Sequence, residues 1–315
     1  MNNERKLLFL VNPHAGKAAI RGKLLSVLEV FSQAGYRPTV CLSRRSGELT
    51  EVARQEAEQY DLVVCSGGDG TLNETVNGLM ALEHPPALGY IPAGTTNDFA
   101  TSLGIPKQME KAAAIAVSGR PVQVDVGRFN DRYFSYVAAF GAFTDVTYAT
   151  PQEYKNALGK LAYLLEGAQR LGSLKSWKVR VEYDTGCAEG EFLLGLVSNS
   201  SYVAGLPVGR VVDVSMTDGL MEVSMVRKPA NLADLSGTVK SLLQGELDNE
   251  LILSVKTRRL RLVSEEPMPW TLDGEYGGTQ QVAQIENLPR ALTIHSPEHL
   301  PAVSEKTAKK EEPRT

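Results

Sequence analysis

A glycine-rich run, SGGDGT at residues 66–71, follows an apolar segment directly and precedes a helix-like segment. Its glycines leave the backbone bare, so N–H groups can approach a polyphosphate, and a helix beginning near residue 71 would point its positive end there. Asp69 would repel phosphate, which indicates an intervening divalent cation, Mg²⁺. A plain strand-to-helix turn explains the run equally well. The residues concerned are Gly67, Gly68, Asp69, Gly70 and Thr71.

Two acid-glycine pairs lie in the second half of the chain. Asp218 and Gly219 on their own favour a tight turn between strands. Asp273 differs, because Glu275 follows at the alternating spacing that puts two side chains on one face of a strand. A carboxylate facing a nucleotide cleft can accept the proton of an alcohol that attacks a γ-phosphate.

Alternating short β-rich runs and helical patterns in the first part of the chain predict a parallel sheet covered by helices. The predicted strands are residues 7–11, 37–42, 61–65, 87–91 and 122–126, and the predicted helices are residues 18–34, 47–59, 71–82 and 107–118.

Three polar, glycine-containing loops follow strands of this predicted sheet, at residues 12–17, 66–71 and 92–98. Ligands of such sheets bind outside the carboxyl ends of the strands, where these loops converge. Three loops of this composition at equivalent strand ends are hard to attribute to turn chemistry alone. The pattern therefore predicts a binding site at this edge.

After about residue 127 the pattern changes to many short strands separated by turns. Two predicted helices, residues 152–171 and 231–247, interrupt it. The charged tail at residues 298–315 has few large apolar residues and is predicted to be disordered. The predicted strands are residues 132–139, 177–183, 191–198, 219–225, 251–256, 258–263 and 281–286.

Length and composition limit the classes of function. A chain of 315 residues predicts about two domains, and it has no apolar run long enough to span a bilayer. The net charge of −4 argues against general nucleic-acid binding, so no nucleic-acid partner is expected. The three cysteines lack disulfide or metal spacing, which indicates a reducing cytoplasm.

Taken together, the ordered motifs resemble the diacylglycerol kinase catalytic-domain superfamily, and within it the soluble bacterial lipid kinases. The resemblance extends to about residue 295, and the stretch from Asp273 to Gly278 is similar to the diacylglycerol kinase branch. The motifs that carry it are Asn12-Pro13 with Gly16-Lys17, Gly67 to Thr71, Pro92 to Asp98, and Leu272 to Glu275.

This resemblance implies an α/β + β fold with the active site in the cleft between two domains. Residues 1–127 would form an α/β nucleotide-binding domain with a parallel-rich sheet, and residues 128–289 a β-sandwich domain. Residues 290–297 would form a strand that returns to the first domain.

Site roles also follow from the resemblance, with ATP and Mg²⁺ as cofactors. Asp273 would be the general base that takes the proton of the lipid hydroxyl, with Glu275 beside it. A separate structural Mg²⁺ would be held by Asp218 and the backbone carbonyls of Ser215 and Leu220. The residues expected at the nucleotide, its phosphates or the active-site Mg²⁺ are Asn12, Gly16, Lys17, Gly67, Gly68, Asp69, Gly70, Thr71, Thr95, Asn97, Asp98 and Asp125.

The implied reaction is transfer of the ATP γ-phosphoryl group to 1,2-diacylglycerol. A kinase for another lipid, such as a sphingoid base or phosphatidylglycerol, would use the same motifs. An NAD kinase shares the glycine run but carries a different loop where this chain has residues 92–98. A nucleotide-binding regulator without catalysis would not need the acids at Asp69, Asp98 and Asp273.

The expected partner is diacylglycerol or a related lipid at a membrane surface, met by a cytoplasmic protein that associates peripherally and forms a homodimer by analogy with relatives. Candidate docking surfaces are the helix at residues 154–171 and a basic cluster, although either set of charges also fits an ordinary solvated face. The cluster is Lys256, Arg258, Arg259 and Arg261.

Overall fold

The computed structural model describes residues 4–16, 18–141, 175–200, 215–231 and 250–297, together with residues 202, 203, 206, 207, 234, 237, 238 and 241. The predicted helix at 152–171, most of the one at 231–247, the predicted tail and Lys17 lie outside this description. In the described part of the chain, no helix is long and apolar enough to cross a membrane.

The five strands predicted for the first part of the chain are confirmed, with ends that shift by a few residues. Three of them, at Arg5–Val11, Leu62–Gly67 and Ala87–Pro92, are largely buried apolar runs, whereas the strand at Tyr36–Leu42 is mostly exposed. The strands are β1 (Arg5–Val11), β2 (Tyr36–Leu42), β3 (Leu62–Gly67), β4 (Ala87–Pro92) and β5 (Arg120–Phe129).

The helices between these strands follow the prediction less closely. The predicted helix at 18–34 is divided into a 3-10 turn at Ala19–Gly22 and a shorter α-helix, and the short helix at Asp98–Ser102 was not predicted. The predicted helix at 47–59 ends in a second 3-10 turn, Ala57–Gln59. The helices are α1 (Leu24–Gln33), α2 (Glu48–Glu56), α3 (Asp69–Leu79), α4 (Asp98–Ser102) and α5 (Met109–Ser118).

Strands β2, β1, β3 and β4 are neighbours in that order and pair in parallel. The loops after β1, β3 and β4 therefore emerge at one edge of the sheet, as the sequence predicted. The remaining ladders are antiparallel, apart from a single parallel contact between Ile294 and Leu88.

The rest of the described chain is β-rich. The predicted strand at 132–139 is two strands, because the N–H groups of Ser135 and Tyr136 donate to the side chain of Asp273. The strands are β6 (Arg132–Phe134), β7 (Val137–Gly141), β8 (Trp177–Tyr183), β9 (Gly186–Ser198), β10 (Tyr202–Val203), β11 (Leu206–Pro207), β12 (Met221–Arg227), β13 (Ile252–Thr257), β14 (Arg259–Leu272) and β15 (Glu275–Ser296).

Strands β7, β9, β8 and β14 close into a ring of antiparallel ladders. Aromatic side chains fill its core: the ring centroid of Phe140 lies 5.1 Å from that of Trp270 and 6.1 Å from that of Trp177. This core sets the positions of β7 and β14, whose ends lead to Asp273.

Strand β15 joins the two halves of the molecule. It begins after a tight turn at Asp273 and Gly274, whose φ angles of 50° and 85° fit the two-residue hairpin turns that Asp-Gly favours. Its first residues pair with β14, and its later residues pair with β5 and β4. One continuous strand therefore runs from the Asp273 turn to the first sheet.

We expect Phe140→Ala to lower the free energy of unfolding by about 3–5 kcal/mol, because it leaves a cavity between two tryptophans. Urea denaturation measures the change. Val282→Ala on β15 is the control, since Val282 is 38% exposed and should shift stability by only about 0.5 kcal/mol. Equal midpoints for both variants would contradict this account of the core.

Candidate functional site

A cavity of about 1180 Å³ lies at the carboxyl edge of the parallel strands, where the second half of the chain covers it. Its walls come from the loops after β1, β2 and β4, the first turns of α3, and the Asp273 hairpin. The cavity thus gathers residues from both ends of the described chain, from Asn12 to Tyr276.

The loops after β3 and β4 approach each other closely at their glycines. A Cβ atom on Gly94 would lie 2.6 Å from the Cα of Gly68, and one on Gly70 would lie 2.6 Å from Oε1 of the Glu275 side chain. Helix α3 begins at Asp69, so its first N–H groups point towards the cavity. Gly68, Gly70 and Thr71 line the cavity, whereas Gly67 lies behind them at the end of β3.

Asn97 shapes the loop after β4. Its Oδ1 accepts from Gly94 N at 2.9 Å, its Nδ2 donates to Gly94 O at 2.7 Å, and its own N–H donates to Asp69 Oδ2 at 3.0 Å. The side chain is 1% exposed and does not line the cavity, unlike that of Thr95. Asn97 therefore holds the loop, and its contact with nucleotide stays a prediction.

The loop after β1 packs against the other two. Asn12 Nδ2 donates to Thr71 Oγ1 at 3.3 Å, and Asn12 N donates to Ser66 O at 2.9 Å. Gly16 has φ 54°, and a Cβ there would lie 2.3 Å from Ala93 O. Both Asn12 and Gly16 line the cavity, as predicted from their place after β1.

Three aspartates line the cavity: Asp69, Asp98 and Asp273. Burial, followed by the charges of Asp98 and Asp273, raises the pKa of Asp69 from 3.8 to about 7. Its Oδ1 is shielded from solvent and has no hydrogen-bond partner among the described residues. An unpartnered carboxylate oxygen beside other acids suits a divalent cation, which would supply the missing positive charge.

The carboxylate of Asp273 is 3% exposed and accepts four hydrogen bonds. Burial raises its pKa, and these hydrogen bonds oppose that rise. The donors to Oδ2 are Asn73 Nδ2 at 2.8 Å and Ser135 N at 2.6 Å, and the donors to Oδ1 are Tyr136 N at 2.9 Å and Val137 N at 3.0 Å.

Glu275 lines the cavity, but its position relative to Asp273 differs from the prediction. Asp273 lies in the hairpin turn, so the two acids are not alternate residues of one strand face, although both line the cavity. The carboxyl group of Glu275 lies over Gly70. Burial raises its pKa, the nearby charge of Glu74 adds to the rise, and Arg132 opposes it.

Asp125 does not join the acids of the cavity. Its Oδ2 accepts from Gly219 N at 2.7 Å and Asn287 Nδ2 at 3.2 Å, and its Oδ1 accepts from Arg290 N at 2.8 Å. These bonds use the Asp125 carboxylate to hold the turn containing Gly219 in place, and its predicted place near the ATP phosphates and Mg²⁺ stays a prediction.

Asp218 lies in that turn and is exposed. Its Oδ1 accepts from Leu220 N at 3.1 Å, and Leu220 O accepts from Asn287 Nδ2 at 2.9 Å. The Ser215 hydroxyl lies 3.3 Å from that of Thr217. Within the described ranges no three His, Cys, Asp or Glu side chains are grouped to hold a metal, so a cation here would depend on carbonyls and water.

Helix α3 carries three side chains that the sequence reasoning missed. Asn73 donates to Asp273, and Asn77, one turn later, donates to Tyr133 O at 2.9 Å and accepts from Tyr133 N at 3.0 Å. Glu74 accepts from Gly47 N at 2.8 Å and Leu49 N at 3.3 Å, and thereby caps α2. The sequence signal for these contacts is the pair Asn73 and Asn77, which are four residues apart and therefore lie on one face of the helix.

Comparison with known families matches both halves of the chain. Residues 6–129 match the diacylglycerol kinase catalytic domain, and residues 138–296 match the YegS C-terminal NAD kinase beta sandwich-like domain. The two matches together span most of the chain and agree with a two-domain architecture.

Curated relatives and solved structures agree with these matches. A diacylglycerol kinase of Bacillus subtilis (strain 168) is 38% identical over 93% of this chain and 97% of its own, and one of Staphylococcus carnosus (strain TM300) is 35% identical over 93% and 95%. The structure of a putative diacylglycerol kinase from Bacillus anthracis str. Sterne has a TM-score of 0.80 at 28% identity, covering 94% of this chain and 96% of that one. The glycine-rich helix start, the acid cavity and these relatives lead to one conclusion: the chain belongs to the diacylglycerol kinase family of enzymes.

Proposed function

We propose that the protein transfers the γ-phosphoryl group of ATP to the primary hydroxyl of 1,2-diacylglycerol, giving phosphatidic acid and ADP. The observation that carries the proposal is the position of Asp273, a buried carboxylate in the same cavity as the N-terminus of α3. The cavity therefore combines a phosphate cradle with a proton acceptor.

The chain's own residues account for binding and proton transfer. The bare backbone of Gly68 and Gly70 would hold the phosphates, and Asp69 with Asp98 would hold Mg²⁺, which when bound neutralises charge on the phosphate oxygens. Asp273 would take the proton of the attacking hydroxyl, worth about 10²- to 10⁴-fold in rate.

The direct test is transfer of γ-labelled phosphate from ATP to diacylglycerol in mixed micelles with Mg²⁺. Label in phosphatidic acid supports the proposal. Label that appears only with another lipid, such as a sphingoid base or phosphatidylglycerol, would support a lipid kinase but show that diacylglycerol is not its acceptor. No label with any lipid, despite ATP binding, would favour a regulator without catalysis.

The acceptor would be met at a membrane surface, but the basic cluster is a weak candidate for docking. Three of its four cations face carboxylates, which leaves little net positive charge to attract anionic lipid. The other candidate, residues 154–171, lies outside the described residues, and the homodimer stays a prediction. The pairs are Lys256 with Glu222, Arg259 with Glu286 and Arg261 with Glu182, each at 3.3 Å.

We expect Asp273→Asn to lower kcat about 10²- to 10⁴-fold, because the proton acceptor is lost. The melting temperature should fall too, since an amide NH₂ would face N–H donors that now meet a carboxylate. Asp184→Asn is the matched control: Asp184 also accepts backbone N–H groups, from Arg258 and Arg259, but lies away from the cavity. The kcat of Asp184→Asn should stay unchanged. A wild-type kcat in Asp273→Asn would show that Asp273 is not the proton acceptor.

Asp69 should make stability depend on pH in metal-free buffer. Its folded-state pKa of about 7 exceeds the usual 3.8, so the folded protein binds the proton more tightly. The free energy of unfolding therefore falls as pH rises from about 4 to about 7. We expect Asp69→Asn to melt at a higher temperature than the wild type at pH ~7.5, with a smaller difference at pH ~5.5.

Melting curves in EDTA at both pH values measure this difference between the two proteins. Comparison with the wild type is required because burial also raises the pKa of Glu222 to about 7. The same pH dependence in both proteins would show that Asp69 is ionised throughout.

We expect Asp218→Ala to reduce the rise in melting temperature that Mg²⁺ produces, if the turn holds a structural cation. A ligand at a hundredfold its Kd stabilises by about 2.7 kcal/mol. Scanning calorimetry in Mg²⁺ and in EDTA measures the response, with Asp184→Ala as a control that should keep it. If Mg²⁺ raises the melting temperature of the wild type and of Asp218→Ala equally, Asp218 holds no structural cation and its segment is an ordinary turn.

A further inference from the structure

The carboxylate of Asp273 has no open acceptor position. An ionised carboxylate offers about four lone-pair sites, and here each oxygen accepts two hydrogen bonds. A substrate hydroxyl can therefore give its proton to Asp273 only if one of the four donors moves away. The identity of the donor that moves determines how the acceptor binds.

Three of the donors are held by the fold. They are the backbone N–H groups of Ser135, Tyr136 and Val137, in the short link between β6 and β7. Asp273 N donates in return to Val137 O at 2.8 Å, which closes the contact from both sides. Displacing any of these N–H groups would leave a buried donor without a partner, at a cost of about 1–3 kcal/mol.

Asn73 is the only donor of the four that is a side chain. Its Nδ2 also donates to Tyr133 O at 3.1 Å, so it keeps one acceptor when it releases Asp273. Its Oδ1 lies 3.2 Å from Asn77 Nδ2, which fixes the amide with the nitrogen towards Asp273. Asn73 and Asp273 both line the cavity.

We propose that the acceptor hydroxyl of the lipid alcohol binds between Asn73 Nδ2 and Asp273 Oδ2, accepting from the amide and donating to the carboxylate. This inference rests on the proposed function, in which Asp273 is the proton acceptor. The hydroxyl oxygen would open the 2.8 Å contact to about 4.5 Å, the span of two hydrogen bonds that meet at a tetrahedral oxygen.

Such a hydroxyl is oriented for phosphoryl transfer. Its hydrogen points at Asp273, one lone pair accepts from Asn73, and the second lone pair is left for phosphorus. In the step, the O–H bond breaks and the proton moves to Asp273 Oδ2 as the oxygen forms a bond to the γ-phosphorus. The bond from that phosphorus to ADP breaks, and ADP keeps the electron pair.

The test compares steady-state kinetics of the wild type, Asn73→Ala, Asn73→Asp and Thr75→Ala, with diacylglycerol in mixed micelles and ATP varied separately. Asn73→Ala should lower kcat/KM for the lipid about 10-fold or more, with KM for ATP within about 3-fold. Asn73→Asp keeps the volume but turns the donor into an acceptor beside Asp273, so its loss should be larger.

Thr75→Ala is the matched control on the same helix. Thr75 is buried, its Oγ1 donates to Thr71 O at 2.9 Å, and it does not line the cavity. This variant should lower the melting temperature while leaving kcat/KM for the lipid within about 3-fold. A merely structural role for Asn73 would instead raise KM for ATP, because the N-terminus of α3 forms the phosphate cradle.

Unchanged kcat/KM for the lipid in Asn73→Ala would overturn the inference. Equal losses in Asn73→Ala and Thr75→Ala, with raised KM for ATP in both, would also overturn it. If Asn73→Ala does not fold, Asn73→Asp is judged by the same criteria. Failure of the proposed function is distinct, because the wild type would then phosphorylate no lipid.

Discussion

The capture of the Asp273 carboxylate by four N–H donors is the interaction on which the rest of the site depends. It interrupts the strand at residues 135 and 136, it fixes the tip of the β14–β15 hairpin, and it joins α3 to the second half of the chain. Each donor in this set is buried, so losing the carboxylate would leave several polar groups unsatisfied.

Helix α3 connects the Asp273 carboxylate to other parts of the cavity wall. Its N-terminus faces the cavity, Asn73 contacts Asp273, and Glu74 caps α2 and so holds the loop after β2. Because one helix carries these contacts, the N-terminus of α3 and the Asp273 carboxylate are held at a set separation. Burial and repulsion by the charges of Asp98 and Asp273 raise the pKa of Asp69. A bound cation would offset both effects, because its positive charge favours the ionised carboxylate.

Much of the fold could be predicted from the sequence because local patterns determine it. Buried apolar runs specified β1, β3 and β4, and glycines follow each of them in the loops. The convergence of three loops followed from parallel pairing. The break between β6 and β7 could not be predicted, since a carboxylate more than 130 residues away takes the N–H groups. Helix α4, five residues long, is too short for a periodic signal.

For the site, the sequence by itself determined the residue types, namely the bare glycines, the acids Asp69, Asp98 and Asp273, and their order along the chain. Only the tertiary structure decided which of them meet. It placed Asp125 at the Gly219 turn and Asn97 inside its own loop, and it brought Asn73 to Asp273 across 200 residues. Hydrogen-bond partners depend on distances and directions that arise only when distant segments pack, and no local spacing in the sequence encodes them.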